Sequence, residues 1–276
     1  MAIVIVLVLM AVGSVLFHIW TPWWFTEVAS NWGAIDELIV FTFAITGFVF
    51  VAVVLFTAYA IYKFRYKEDR RADYEPENKK LEFWLTVVTA IGVMALLAPG
   101  LAVWADFVTV PEGAEEFEVV GEQWNWTFRF PGADGKLGTA DVANITYDNP
   151  FGMNADDPNG QDDVLIEDYE VHLPIGSPIK VLLRSKDVLH DFWVPQFRAK
   201  MDLVPGLESH FWFTPTREGT FDLLCAELCG VGHYTMRGKV TIESEEAFKA
   251  WLAAYPTYAE TVPAPSDTGG GAASGQ

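Results

Sequence analysis

The chain has 276 residues, 51% of them hydrophobic, and a formal net charge of −19. That length allows one domain with membrane segments or two small domains, and the acidity excludes nucleic acid as a partner. From Asp106 onward there are 28 acidic against 11 basic residues, a surplus that serves either plain solubility or the steering of a basic partner.

Residues 1–26, 38–62 and 83–105 contain no Asp, Glu, Lys or Arg, and each run is long enough to cross a hydrocarbon core of about 30 Å. The second and third are predicted as a transmembrane helical hairpin over residues 35–105. Between them, residues 63–80 hold seven of the eighteen basic residues. Short basic loops stay in the cytoplasm, which puts the loop 63–81 inside and everything after Asp106 on the outer, oxidising side. Residues 1–30 read as an apolar helix or a secretory signal. A signal normally opens with positive charge, which Met1-Ala-Ile-Val-Ile-Val lacks, and Val28-Ala-Ser30 offers only a weak cleavage site. The expectation is a retained third helix, with Trp20, Trp23 and Trp24 in an outer aromatic belt.

After Asp106 the long apolar runs give way to short ones. Residues 117–130, 164–173, 179–183, 192–197, 210–213, 221–224 and 239–242 carry aromatic or β-branched residues with turn formers at most joints. They predict an all-β domain over residues 106–260, a sandwich or Greek-key barrel. Residues 131–163, rich in Gly, Asp, Asn and Pro, read as a solvated acidic insertion whose carboxylates match no calcium-loop spacing. Residues 261–276, with a Gly-Gly-Gly run, are predicted as a disordered tail.

Both cysteines fall in one segment, Cys225-Ala-Glu-Leu-Cys229-Gly-Val-Gly-His233-Tyr-Thr-Met236. Thiolate, imidazole and thioether donors select copper over harder ions. Two thiolates suggest a bridged pair of coppers, and each metal then needs an imidazole, so a second histidine must come from elsewhere. Of the five, His18 lies in an apolar run, and His172 and His210 lie in alternating strands. His190, where a loop enters a strand, is the remaining candidate. Two other readings stand beside this one. A Cys225 to Cys229 disulfide leaves His233 and Met236 unexplained. A structural zinc site of Cys225, Cys229, His233 and His190 has an acceptable ligand set but no use for Met236. Gly230 and Gly232 break any helix through the segment and predict a loop wrapped around a metal.

Two helices around a basic loop, then Gly121-Glu-Gln-Trp124-Asn-Trp126, Asp187-Val-Leu-His190 and the cysteine segment resemble subunit II of the haem-copper cytochrome c oxidases over residues 35–251. The resemblance implies a membrane-anchored cupredoxin-like barrel with a binuclear CuA centre. In it Cys225 and Cys229 bridge the coppers, His190 and Met236 complete one, and His233 with the backbone carbonyl of Glu227 completes the other. It further implies that the Glu227 side chain reaches a magnesium or manganese ion shared with subunit I, that Trp124 takes electrons from cytochrome c, that Asp187 orients His190, and that Glu82 marks the mouth of a proton path. Core packing for Trp124 and a favourable helix-end charge for Glu82 are the plainer readings.

The implied partners are subunit I, other oxidase subunits and a basic cytochrome c. The implied place is a bacterial inner membrane, with the copper domain on the periplasmic face. Electrons would pass to haem in subunit I for oxygen reduction coupled to proton translocation, and this chain would carry no catalytic residue of its own. A CuA subunit of a nitric oxide reductase and a membrane-anchored copper chaperone are the alternatives. The third helix and the long insertion depart from the usual family pattern. No Cys-x-x-Cys-His segment is present for a fused cytochrome c domain.

Overall fold

Long apolar runs become helices because only internal hydrogen bonds can satisfy a backbone surrounded by hydrocarbon. The computed structural model describes residues 1–21, 26–71, 74, 76–146, 149 and 151–261. It contains three helices long and apolar enough to cross a membrane: α1 (Ala2–Trp20), α2 (Gly33–Lys63) and α3 (Lys79–Val108). α1 packs along α2, with the rings of His18 and Phe43 6.0 Å apart. α2 and α3 extend beyond the charge-free runs, taking Asp36 and Glu82 into their first turns, where an acid favours the helix dipole. Asn78 accepts the Leu81 N–H at 3.0 Å and so caps α3. Trp23 and Trp24 of the expected belt lie outside the described residues.

The chain divides into two compact units, Met1–Glu27 with Gly33–Asp106, and Val28–Trp32 with Phe107–Gln276. Among its described residues the second has ten strands where seven were predicted. β1 (Glu115–Glu122) and β2 (Asn125–Phe130) form a hairpin in place of one strand over 117–130, turning at Gln123 and Trp124. β3 (Val164–Ile166) and β4 (Glu170–Pro174) split the predicted strand 164–173 and join opposite sheets. β5 (Ile179–Ser185) and β6 (His190–Val194) fall close to prediction, as do β8 (Ser209–Phe213), β9 (Gly219–Cys225) and β10 (Arg237–Glu243). β7 (Ala199–Leu203), an edge strand, was missed although Lys200 and Asp202 alternate with inward-facing residues, because it carries no aromatic or β-branched residue.

The sheets run β3-β2-β1-β5-β8 and β4-β10-β9-β6-β7, a cupredoxin-like sandwich. Strand neighbours are antiparallel except for β1 with β5 and β4 with β10. Inward-facing aromatics fill the space between the sheets, with ring pairs Phe117 and Phe130 at 5.2 Å and Phe197 and Phe213 at 4.8 Å. α4 (Glu245–Leu252), capped by Ser244, lays Phe248 and Trp251 against Phe130. A short α5 (Tyr258–Thr261) follows, and residues 262–276, most of the expected tail, lie outside the described residues.

Strand alternation turns Glu116, Glu118 and Glu122 of β1 to the outer face of the first sheet. There they meet Lys180 and Arg184 of β5 and Lys186 just past its end. The insertion 131–163 is not simply solvated, as its composition suggested. Phe151 and Met153, 1% and 2% exposed, form a buried cluster with Val120 and Tyr258 over this face. Arg129 beneath it donates to Glu118 at 2.6 Å, to Asp163 at 2.7 Å and to the Gly138 carbonyl at 2.8 Å. Two apolar anchors among polar residues were too few for sequence pattern to reveal.

The segment Val28–Trp32 is a strap on the β-sandwich. The Ala29 N–H donates to the Gln196 carbonyl at 2.8 Å, Thr216 N–H to the Ala29 carbonyl at 2.9 Å and Ser30 Oγ to the Phe197 carbonyl at 2.6 Å. The Trp32 indole donates to the Trp212 carbonyl at 2.8 Å, and its ring lies 4.9 Å from Trp212 and 5.1 Å from Phe107. Val28-Ala-Ser30 is therefore a structural part of the β-domain. Trp32→Ala is expected to destabilise that domain by about 3–5 kcal/mol, the usual cost of emptying a buried tryptophan site. Chemical unfolding of the purified chain measures this, and an unchanged midpoint would mean that the strap adds nothing.

Candidate metal centre

Pairing of β6 with β9 builds one wall of the site. Phe192 lies opposite Cys225 in the ladder, so the first residue of β6, His190, sits beside the last of β9. The loop that follows is pinned at both ends. Cys225 N–H donates to the Met236 carbonyl at 3.3 Å, and Arg237 pairs with Leu224 as β10 begins. No helix runs through this loop, as its two glycines predicted. A single tight turn over His233–Thr235 brings the chain back.

The donor atoms converge. The Sγ atoms of Cys225 and Cys229 are 3.8 Å apart and unbonded. His190 Nδ1 lies 4.0 Å from Cys225 Sγ, and His233 Nδ1 lies 3.5 Å from Cys229 Sγ. Met236 Sδ is 3.8 Å from Cys229 Sγ, and the Glu227 carbonyl oxygen is 3.2 Å from Cys225 Sγ. Among the described residues, the one group of three His, Cys, Asp or Glu side chains with ligating atoms all within 4.8 Å is His190, Cys225 and Cys229. His190 is fully buried and Met236 is 1% exposed, so the thioether points into a dry pocket of soft donors. Such a donor set fits copper.

Electrostatics prepares the site to lose protons. Burial works to raise the Cys225 thiol, but hydrogen bonds with His190 and nearby backbone groups outweigh it and hold the thiol at about 6. Cys229 is pushed up to about 12 by burial and by its neighbour Cys225. Near neutral pH one thiolate and one thiol therefore share the pocket, and metal binding displaces the remaining proton. Burial disfavours charge on His190, yet hydrogen bonds with Cys225 and Asp187 outweigh it and raise the imidazole above its usual value. Asp187, despite partial burial, is held below the usual carboxylate range by hydrogen bonds from His190 and from the N–H groups of Gln123 and Val188. His190 Nε2 lies 2.8 Å from Asp187 Oδ1. That contact leaves Nδ1 as the atom presented to the metal.

The β1 to β2 turn lies directly against this pocket. Gln123 Nε2 and Trp124 Nε1 both donate to the Cys229 carbonyl, at 2.8 and 3.2 Å. The Trp124 ring lies flat against Gly232, where an added Cβ would come within 2.3 Å of it. Gly121 makes room for His190, since a Cβ there would stand 3.1 Å from the ring. Sequence reasoning placed His190, Cys225, Glu227, Cys229, His233, Met236, Asp187 and Trp124 together, and they are together. It missed Gly121 and Gln123, although both stand in the motif around Trp124. Glu82 belongs to the other unit, in the first turn of α3.

Membrane-spanning helices followed by a cupredoxin-like sandwich with this donor set define a membrane-anchored copper protein. The family description "Cytochrome C oxidase subunit II, periplasmic domain" matches residues 116–244. The chain is 61% identical to the alternative cytochrome c oxidase subunit 2 of Bradyrhizobium diazoefficiens, over 94% of each chain. It is 29% identical to cytochrome c oxidase subunit 2 of Cereibacter sphaeroides, over 77% of this chain and 73% of the relative. The crystal structure of the periplasmic domain of cytochrome oxidase subunit II from Bradyrhizobium japonicum aligns with a TM-score of 0.39 at 25% identity, covering 53% of this chain and 96% of that one. The chain belongs to the cytochrome c oxidase subunit II family.

Proposed function

We propose that this chain is the electron-accepting subunit of a membrane cytochrome c oxidase. It receives electrons from cytochrome c at a binuclear copper site and passes them to haem in subunit I for oxygen reduction coupled to proton translocation. The observation that carries this reading is the meeting of four further donors around two unbonded sulfurs 3.8 Å apart. When bound, the copper pair supplies one-electron chemistry shared over two metals. Cys225 and Cys229 would supply the thiolates that hold the pair, and His190, Met236, His233 and the Glu227 carbonyl would supply the remaining donors. Asp187 keeps the His190 ring in register, and the buried Met236 excludes water. Ladder hydrogen bonds on both sides of the loop limit how far the donors move when charge changes.

The remaining roles follow from placement. Trp124, hydrogen-bonded to the Cys229 peptide and partly exposed, is the point of electron uptake. The acidic outer surface suits a basic cytochrome c. The half-buried Glu227 side chain reaches a magnesium or manganese ion shared with subunit I, and Glu82 opens a proton path from the cytoplasmic side. The helices anchor the chain in a bacterial inner membrane with the β-domain on the periplasmic face. A copper chaperone would hold one exchangeable ion and have no use for His233 or a buried Met236, and a structural zinc site would likewise leave Met236 without a role.

Copper analysis with electron paramagnetic resonance of the purified full chain tests the reading. Two coppers per chain sharing one unpaired electron are expected. A single exchangeable copper, or zinc in its place, would sink it.

A further inference from the structure

Gln123 is an exposed residue outside the donor set, yet it touches both arms of the site. β1 ends at Glu122 and β2 begins at Asn125, and these two residues pair directly. Gln123 and Trp124 are thus a two-residue turn between locked strands. From that fixed position the Gln123 backbone N–H donates to Asp187 Oδ2 at 2.7 Å. The other carboxylate oxygen of Asp187 holds His190 Nε2 at 2.8 Å. The Gln123 side-chain amide donates to the Cys229 carbonyl at 2.8 Å. Only the NH₂ end of the amide can make this bond, since a carbonyl accepts and cannot donate.

The Trp124 indole N–H reaches the same oxygen at 3.2 Å. One carbonyl therefore accepts from two consecutive side chains, which fixes the Cys229 peptide plane and the ring that lies over the loop. The loop is shaped to receive both. A Cβ on Gly230 would stand 2.9 Å from Gln123 Nε2 and 3.1 Å from Trp124, and one on Gly232 would run into the Trp124 ring. A second tie runs beside the first, with the Lys186 N–H donating to the Gly121 carbonyl at 3.1 Å. That bond holds the Asp187 loop to β1.

We propose that Gln123 is a positioning residue that joins the His190 arm, the Cys229 arm and Trp124 into one rigid unit. Through it the indole stays hydrogen-bonded to the Cys229 peptide, whose own side chain carries a bridging sulfur. The link from ring to sulfur is then one hydrogen bond followed by covalent bonds. The proposal rests on the copper and Trp124 roles given above and adds what keeps the two in contact.

The test uses the full chain in its oxidase complex, as wild type, Gln123→Ala and Gln123→Glu. The glutamate variant keeps the shape and removes the donor. Three quantities are read: the rate of copper reduction at saturating cytochrome c, the KM for cytochrome c, and the rate at which a chelator strips copper from the protein. Losing a neutral hydrogen bond weakens seating of the ring by up to roughly tenfold. Both variants are expected to lose a comparable factor in the saturating rate, to release copper to the chelator faster, and to keep the wild-type KM. An unchanged saturating rate overturns the proposal. A raised KM with an unchanged rate also overturns it, since Gln123 would then be a contact for the donor. If Gln123→Ala does not assemble, Gln123→Glu decides by the same rule. A wild-type protein without the two-copper spectrum would instead sink the functional reading on which the proposal stands.

Discussion

Gly232→Ala is expected to unseat Trp124 and slow electron uptake by about five- to a hundredfold while the β-sandwich stays folded. The backbone at Gly232 (φ −91°, ψ 6°) suits any residue, so the effect is purely steric. An added Cβ would lie 2.3, 2.6 and 2.8 Å from three carbons of the Trp124 ring. The ring has little freedom to yield, because its N–H is bonded to the Cys229 carbonyl and its neighbours Glu122 and Asn125 are paired. Either the ring leaves its bed or the loop that carries Cys229 and His233 moves. Overpacking of this kind costs about 1–3 kcal/mol, and about 1.4 kcal/mol already corresponds to a factor of ten in rate. Rapid-mixing reduction of the copper site by cytochrome c reads the effect, with copper content as the control. A wild-type rate with full copper would show that ring and loop do not pack in solution.

Arg129→Met should destabilise the β-domain by about 3–5 kcal/mol near neutral pH, the cost of leaving the buried Asp163 carboxylate without its partner. Glu118 is 1% exposed, Arg129 3% and Asp163 0%; Asp163 leans on this one guanidinium, whereas Glu118 shares it with Arg184. Burial pushes Asp163 up to about 6, against the pull of Arg129 and the Gly138 N–H. An unfolded aspartate titrates near about 3.9. The folded pKa is thus the higher one, so the stability that Asp163 contributes is complete below about pH 3.9 and is lost as pH rises through about 6. Without Arg129 the folded carboxyl rises further, and the loss continues over a wider range. The penalty of the substitution should therefore be small at about pH 4.5 and large at about pH 7.5. Denaturant unfolding of wild type and variant at both values makes the comparison. An equal penalty at the two would remove Asp163 from the account.

The copper site was readable because its chemistry is local. Five of its donor positions fall within twelve residues, and His190 could be found by asking which remaining histidine stood where a loop meets a strand. The membrane helices were readable for the same reason, since length without charge is a property of a single segment. What escaped depends on partners distant in the chain. The aromatic run 117–130 gave no sign of its turn, because Gln123 and Trp124 are not turn formers and fit there only against the loop glycines. Nothing in the strand pattern singled out Arg129, because its partner Asp163 comes from the insertion that Phe151 and Met153 anchor over it. Val28-Ala-Ser30 resembled a cleavage site because small residues suit both a peptidase and a close backbone approach to Gln196 and Thr216.

The strap has a bearing on how the protein is made. Ser30 and Trp32 bind residues 167 and 180 positions further along the chain. Translation at about 5–20 residues per second separates those partners by roughly 10–40 s. During that interval the strap waits on the outer side while α2, the basic loop and α3 are threaded into the bilayer behind it. The strap can dock only once Thr216 is made, and the sandwich closes later still, since β9 and β10 lie beyond that residue on either side of the donor loop ending at Met236. Assembly of the donor pocket is therefore a late step in folding, and anything that captures the strap during its wait competes directly with it.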